Sequence, residues 1–155
     1  MRMQRLRKKD AKKISEEVKE RAGIDVSGEM DLVNFEDVNI ILVNSEPLLL
    51  EYEGKHYVSV YGAIKLKPNK YEVRVDEGAM KFIMNGADIM KPGIVYADPN
   101  IKEGDFVFVT VEGKQSPIAI GIALCSGEEM KGKGKAVKNL NYVGDDIWNA
   151  FLKKT

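Results

Sequence analysis

The stretch EGAMKFIMNGADIMKPGI, residues 77–94, decides how this chain is read. Its first half, residues 78–85, carries Met80, Phe82, Ile83 and Met84 and reads as a short amphipathic helix whose apolar cluster belongs to a core. Gly86 stands where a helix ends in a left-handed residue, and Gly93 closes the loop that follows. Glycine at both ends of a loop lets its backbone approach another chain and leaves amide groups open to a phosphate or sugar oxygen. Lys81 and Lys91 flank that backbone as phosphate partners, while Asn85 and Asp88 are placed to read or reject hydroxyls. A helix cap and a tight turn of purely structural use need the same residues, so the residues alone leave both readings open.

Downstream, Asp98-Pro99 and Gly104-Asp105 are turn signals flanking residues 100–103. Residues 106–111 are almost wholly apolar, residues 112–114 turn the chain, and residues 118–124 return. Two apolar strands joined by a hairpin look like the centre of a barrel. Ser126 and Glu129 have capping-box spacing and predict one helical turn. The run KGKGK, residues 131–135, is too glycine-rich for a helix and is expected as a loop; residues 137–143 form a last strand and Trp148 anchors the end. Asp145-Asp146 reads as a helix cap, since two carboxylates are too few for a cation site.

Upstream, residues 71–75 read as a strand and Pro68-Asn69 as a break, which places a domain boundary near residue 70. Residues 8–22 form an amphipathic helix: Ala11, Ile14, Ser15, Val18 and Ala22 share one stripe, lysines occupy the rest, and Gly23 stops it. Residues 30–35, 38–44 and 48–52 are strand-like, Glu53, Gly54 and Lys55 turn, and residues 56–61 alternate in strand fashion. These hairpins predict an antiparallel sheet with a helix against one face.

The 155 residues carry no net charge, yet the charge is uneven. Residues 1–22 hold nine basic and four acidic side chains, residues 131–155 six and two, and the stretch between them nine and eighteen. Basic ends on an acidic middle describe either an anion-attracting region or ordinary solvated charge. No apolar run reaches the roughly 20 residues of a membrane helix, and no apolar segment follows the basic start, so neither a membrane span nor a secretory signal is expected. The single Cys125 excludes an internal disulfide framework and fits a reducing cytoplasm. It reads as a small buried hydrophobe. His56, the only histidine, reads as a half-buried strand residue with no nucleophile placed near it. Residues 131–135 lack the GxxxxGK[ST] pattern of a phosphate loop, and nothing assembles an active site, a cofactor site or a metal site.

The order of these features resembles the PUA domain, the RNA-binding pseudobarrel named for pseudouridine synthases and archaeosine transglycosylases. The short helix at residues 78–85, the GAxIMxPGI-like loop at 86–94, the paired strands at 106–124 and the Gly-Lys-Gly at 132–134 carry the likeness over residues 71–152. With the preceding α+β unit and the closing DDIW at 145–148, the whole chain resembles the MCT-1/Tma20-like proteins and their archaeal relatives. The resemblance implies an α+β pre-PUA domain over residues 1–70 and a mainly β PUA pseudobarrel with short helices over residues 71–155. It implies a cytoplasmic, non-catalytic protein without cofactor that grips structured RNA, tRNA or rRNA, in translation initiation or recycling. The small ribosomal subunit or a translation factor is the partner it suggests. Carried over position by position, it implicates Lys81, Asn85, Gly86, Ala87, Asp88, Lys91, Pro92 and Gly93, and from the late element Lys131, Lys133, Gly134 and Lys135. Some relatives bind metal through cysteines that this chain lacks, so no such site is expected. Two other roles are open. One is a protein-interaction adaptor that docks a partner through Phe35, Tyr52 and Tyr57; the other is an RNA-targeting accessory subunit of an RNA-modifying enzyme.

Overall fold

The structure is a computed structural model that describes residues 2–152; Lys153 and Lys154 of the C-terminal charge count lie outside it. The chain divides into two compact units, Met1–Pro68 and Asn69–Thr155.

Unit 1 starts with a short strand, β1 (Met3–Arg5), and the helix α1 (Lys8–Ala22). The helix follows the apolar stripe: Ala11, Ile14, Val18 and Ala22 are buried, and Gly23 ends it in the left-handed region at φ 69°. Four strands follow, β2 (Met30–Phe35), β3 (Val38–Val43), β4 (Glu46–Tyr52) and β5 (Lys55–Val58). They form one antiparallel sheet in the order β1-β2-β3-β4-β5.

Residues 56–61 do not continue as a strand. Ser59 accepts a hydrogen bond from the Gly62 amide at 2.9 Å and donates to the Pro47 carbonyl at 2.7 Å, which starts helix α2 (Val60–Leu66). A Cβ on Gly62 would meet the Leu48 carbonyl oxygen at 2.3 Å, so only glycine lets α2 lie this close to β4. The β-branched Val58 and Val60 hid this helix from the sequence pattern. Leu48, Leu49 and Leu50 are all buried, and successive strand residues face opposite ways, so β4 is covered on both faces and not on one as expected. Tyr57 is 3% exposed and therefore unavailable as a docking surface, whereas Phe35 and Tyr52 are half-buried.

His56 is half-buried as expected, between two carboxylates: Nδ1 lies 2.8 Å from Glu17 and Nε2 lies 2.9 Å from Glu51. Its amide also donates to Glu17 at 2.7 Å, tying β5 to α1. Both ring nitrogens facing acceptors is an arrangement satisfied in full only by the doubly protonated ring. It holds structure, and its partners among the described residues are carboxylates.

Unit 2 contains β6 (Glu72–Val75), α3 (Glu77–Ile83), β7 (Ile89–Met90), a 3-10 turn (Lys91–Gly93), β8 (Ile94–Ala97), β9 (Phe106–Val111), β10 (Ala119–Ala123), a second 3-10 turn (Gly127–Glu129), β11 (Lys135–Tyr142) and α4 (Asp146–Phe151). The strands form one sheet in the order β7-β11-β10-β9-β6-β8, with β6 and β9 parallel and the other pairs antiparallel. This is the pseudobarrel with short helices. Its core gathers Val73, Val75, Ile83, Ile89, Ile101, Val107, Val109 and Val111 among others, with Cys125 packed against it. The Ser126–Glu129 capping box is present. Asp145 caps α4 through the Trp148 amide and also accepts from the Asn141 side chain and the Tyr142 amide.

Candidate functional site

The two segments singled out in the sequence meet in space. Strand β7 pairs with the start of β11, Met90 opposite Lys135 and Ile89 opposite Val137. The Lys91 amide then donates to the Gly134 carbonyl at 2.8 Å. This ladder sets the 77–94 segment directly against the 131–135 segment, at one edge of the sheet.

Asp76 starts α3 by accepting from the Ala79 amide at 2.9 Å. The helix ends after two turns. The Asn85 and Ala87 amides both donate to the Phe82 carbonyl, the Gly86 amide donates to Ile83, and the Asn85 side chain donates to the Lys81 carbonyl. Gly86 reaches φ 94°, a value that favours glycine. The amides of 85–87 are thus satisfied within the helix end, while the Asp88 amide of the same loop donates to no acceptor among the described residues. Gly93 likewise packs inward: a Cβ there would lie 3.1 Å from the Ala79 Cβ, and its carbonyl accepts from the Asp76 amide. Open backbone is found also in the late element. Gly132 and Gly134 have positive φ with open space around them, and the Gly132 and Lys133 amides donate to no acceptor among the described residues.

The residue that joins the segments was not foreseen. Asn139, on β11, donates through Nδ2 to the Ile83 and Ala87 carbonyls at 3.1 and 3.0 Å, while its amide donates to Asp88 at 2.9 Å. Asn139 therefore fixes the end of α3 onto β11. Asparagine is depleted in strands, and Asn139 and Asn141 in one strand were the signal that could have shown hydrogen-bonding duty there.

Charge is distributed unequally. Asp88 is half-buried and pairs with Lys135 at 3.2 Å, so this carboxylate holds structure as well as facing the site. The ammonium of Lys81 sits 5.2 Å from the Phe82 ring. Glu129 is held below the usual carboxylate range by the Ser126 hydroxyl and amide, and the nearby Lys91 charge adds to this. Lys131 and Lys133 are exposed and pair with no acid among the described residues. Pro92 and Ala87 are exposed. The α3 cluster divides: Ile83 is buried, Met80 and Met84 are partly buried, but Phe82 is 58% exposed, so it does not belong to the core as expected. A seven-residue helix that offers one face to the core leaves its opposite face in water. Met90, on β7, is also exposed. The edge thus combines lysines, open glycine backbone and exposed apolar side chains.

Among the described residues no group of three or more His, Cys, Asp or Glu side chains is placed to hold a metal ion, and no helix is long and apolar enough to cross a membrane.

Comparison with known proteins places both units. Residues 71–143 match the PUA domain, and residues 4–66 match the domain of unknown function DUF1947. An uncharacterized protein of Methanocaldococcus jannaschii is 48% identical over 151 residues, covering 93% of each chain. Translation machinery-associated protein 20 of Saccharomyces cerevisiae is 30% identical over 130 residues, 78% of this chain and 72% of the yeast protein. The crystal structure of a hypothetical protein from Pyrococcus horikoshii superposes with a TM-score of 0.87 at 39% identity, covering 97% of this chain and 99% of that one. The chain belongs to the family of PUA-domain proteins with an N-terminal DUF1947 region that includes translation machinery-associated protein 20.

Proposed function

We propose that unit 2 grips structured RNA, tRNA or rRNA, without performing chemistry on it. The observation that carries this reading is the β7–β11 ladder, which sets Lys91 beside the 131–135 segment with its unpaired Lys131 and Lys133. Lysines along an open glycine backbone supply phosphate contacts, which give affinity and register without reading sequence. Double-stranded RNA is recognised largely by such shape and backbone contacts. The PUA match supports RNA as the partner, and the yeast relative's name supports a place in the translation machinery. The finer role we assign is translation initiation or recycling in the cytoplasm, at the small ribosomal subunit or with a translation factor.

Fluorescence anisotropy against tRNA, an rRNA helix fragment and duplex DNA, each across a salt series, tests this. A preference for one RNA is expected, with log K falling against log salt at a slope of about −3 for roughly four phosphate contacts on a partly single-stranded target. The double variant Lys91→Glu/Lys133→Glu is expected to weaken binding by about tenfold or more while the fold survives. Equal, weak binding to all three that vanishes at physiological salt would instead favour an adaptor whose partners are proteins.

A further inference from the structure

We propose that unit 1 carries a nucleotide-binding cavity of its own, in which Lys8 and Lys12 hold a phosphate above an apolar floor that takes the base. The proposal rests on unit 1 alone and is independent of the reading of unit 2.

A cavity of about 800 Å³ opens between the first half of α1 and residues 27–30. Its walls are mostly apolar; Leu6 is half-buried at the surface, with Ala11 and Met30 buried beneath. Four cations stand around it against one acid, Glu29. Two of those cations are already compensated: Arg5 pairs with Asp31 and Glu29 at 2.7 and 3.2 Å, and Arg7 with Asp10 at 3.2 Å. Lys8 and Lys12 are exposed and pair with no acid among the described residues. Lys8 stands in the first turn of α1 and Lys12 in the second, and positive charge near a helix N-terminus opposes the helix dipole unless an anion is present.

The lining selects a ligand class. A wholly apolar molecule would leave the two lysines uncompensated, and an inorganic anion would leave the floor in water. A molecule with a flat apolar body and one anionic end satisfies both, and a nucleoside phosphate is that molecule. Cavities that enclose ligands of this kind hold roughly 300–1,000 Å³. Asn44 lines the wall with its Oδ1 already accepting from the Glu29 amide at 3.1 Å, which leaves its Nδ2 as a donor to a base or ribose. A neighbouring cavity of about 400 Å³ farther along α1 shares Lys12, Ser15 and Ser27 with it but not its charge. It is lined by Glu16 and Asp25, and its Lys19 is paired to Asp25 at 2.6 Å.

The test is an amide-shift titration of the isotope-labelled full chain with adenosine 5′-monophosphate, beside adenosine and inorganic phosphate. The expected result is saturable shifts at residues 6–15 and 27–30, with the nucleotide binding at least ~10-fold more tightly than either of its parts. Lys8→Glu/Lys12→Glu should reduce that affinity ~10-fold or more. Lys9→Glu/Lys13→Glu makes the same charge change on the same helix away from the cavity and should change it less than ~3-fold. Shifts confined to unit 2, phosphate binding as tightly as the nucleotide, or equal losses in the two double variants would each overturn the proposal.

Discussion

In unit 1 every strand pairs with its neighbour in the chain, so the sheet order is the sequence order; in unit 2 β7 pairs with β11 and β6 with β9. In the first arrangement β2 to β5 are joined by short hairpins, and β1 alone reaches its partner across α1. The second joins segments some forty residues apart, Met90 opposite Lys135 and Val73 opposite Val109, before either edge exists. A surface made by distant pairing depends on the few residues that fix the crossing. Unit 2 should therefore lose its lysine edge to single changes far from any lysine, while unit 1 should not transmit such damage to RNA binding.

The largest effect is expected at the two glycines where backbone meets backbone. A Cβ on Gly121 would lie 2.1 Å from the Lys138 carbonyl oxygen, and one on Gly62 would lie 2.3 Å from that of Leu48. Neither carbonyl can move aside cheaply, so each Gly→Ala change should cost about 1–3 kcal/mol or more. Gly121→Ala pushes β10 from β11, the strand that carries Lys135, and should lower both stability and RNA affinity. Gly62→Ala should destabilise unit 1 and leave RNA affinity unchanged. Hydrogen exchange of β3 and β4 against β10 and β11, read beside anisotropy, separates the two. Equal loss of RNA binding in both variants would break the comparison.

How much could be read beforehand follows the same division. Helix α1 was legible to the residue, because fifteen residues of one period with a glycine stop leave little choice. Strands β2 and β9 were legible from their apolar and branched residues, and the 77–94 segment was singled out as a candidate stretch from its glycines and lysines. What escaped was set by distant contacts. The helix α2 depends on Ser59 reaching the Pro47 carbonyl, and the two-residue β7 exists only because β11 lies beside it. The glycines at both ends of the 86–94 loop marked it as open backbone, but local pattern cannot show that the end of α3 uses the amides of 85–87 internally, or that the amides at 132 and 133 are free. Phe82 misled for the converse reason: its type says core, but α3 offers one face to the core and Ile83 occupies it.

A smaller effect is expected at Asn139. Changing it to Ala leaves the Ala87 carbonyl without this donor and the Ile83 carbonyl with the Gly86 amide alone, while the Asp88 contact from the backbone amide remains. Asn139 is half-buried, so loss of these hydrogen bonds should cost about 1 kcal/mol. The damage should concentrate at the end of α3, measured as faster exchange of the amides at 85–87, and RNA affinity should fall although no cation has changed. If exchange at 85–87 stays as slow as in the parent chain, Asn139 does not fix the crossing and the edge is held by the β7–β11 ladder alone.

The smallest effect lies in unit 1 and is a matter of pH. Burial pushes the Glu17 carboxyl up, but hydrogen bonds from the His56 amide and ring and from Arg21 outweigh it and hold the group below its ordinary 4.5. A carboxylate lowered in the folded state contributes stability that is fully present above 4.5 and is lost as pH falls through the folded value. Glu17 is partly exposed, so solvent screening limits its share to about 1 kcal/mol or less. In unit 2 the lowered carboxylate, Glu129, is exposed and bonded within a single turn, so its protonation should loosen that turn without reaching the sheet. Urea unfolding followed through amide signals of each unit, near neutral pH and again below 4.5, should show unit 1 losing the larger part of its stability in acid. Glu17→Gln should remove most of this extra acid sensitivity, leaving the share of Glu46, which its hydrogen bond from Lys65 also holds low. His56→Ala should only reduce it, because the residue-56 amide still donates to Glu17. A parent chain whose two units weaken equally in acid, with Glu17→Gln indistinguishable from it, would mean that the tie between α1 and β5 carries no linked proton and that His56 serves only to fill the space between two strands and a helix.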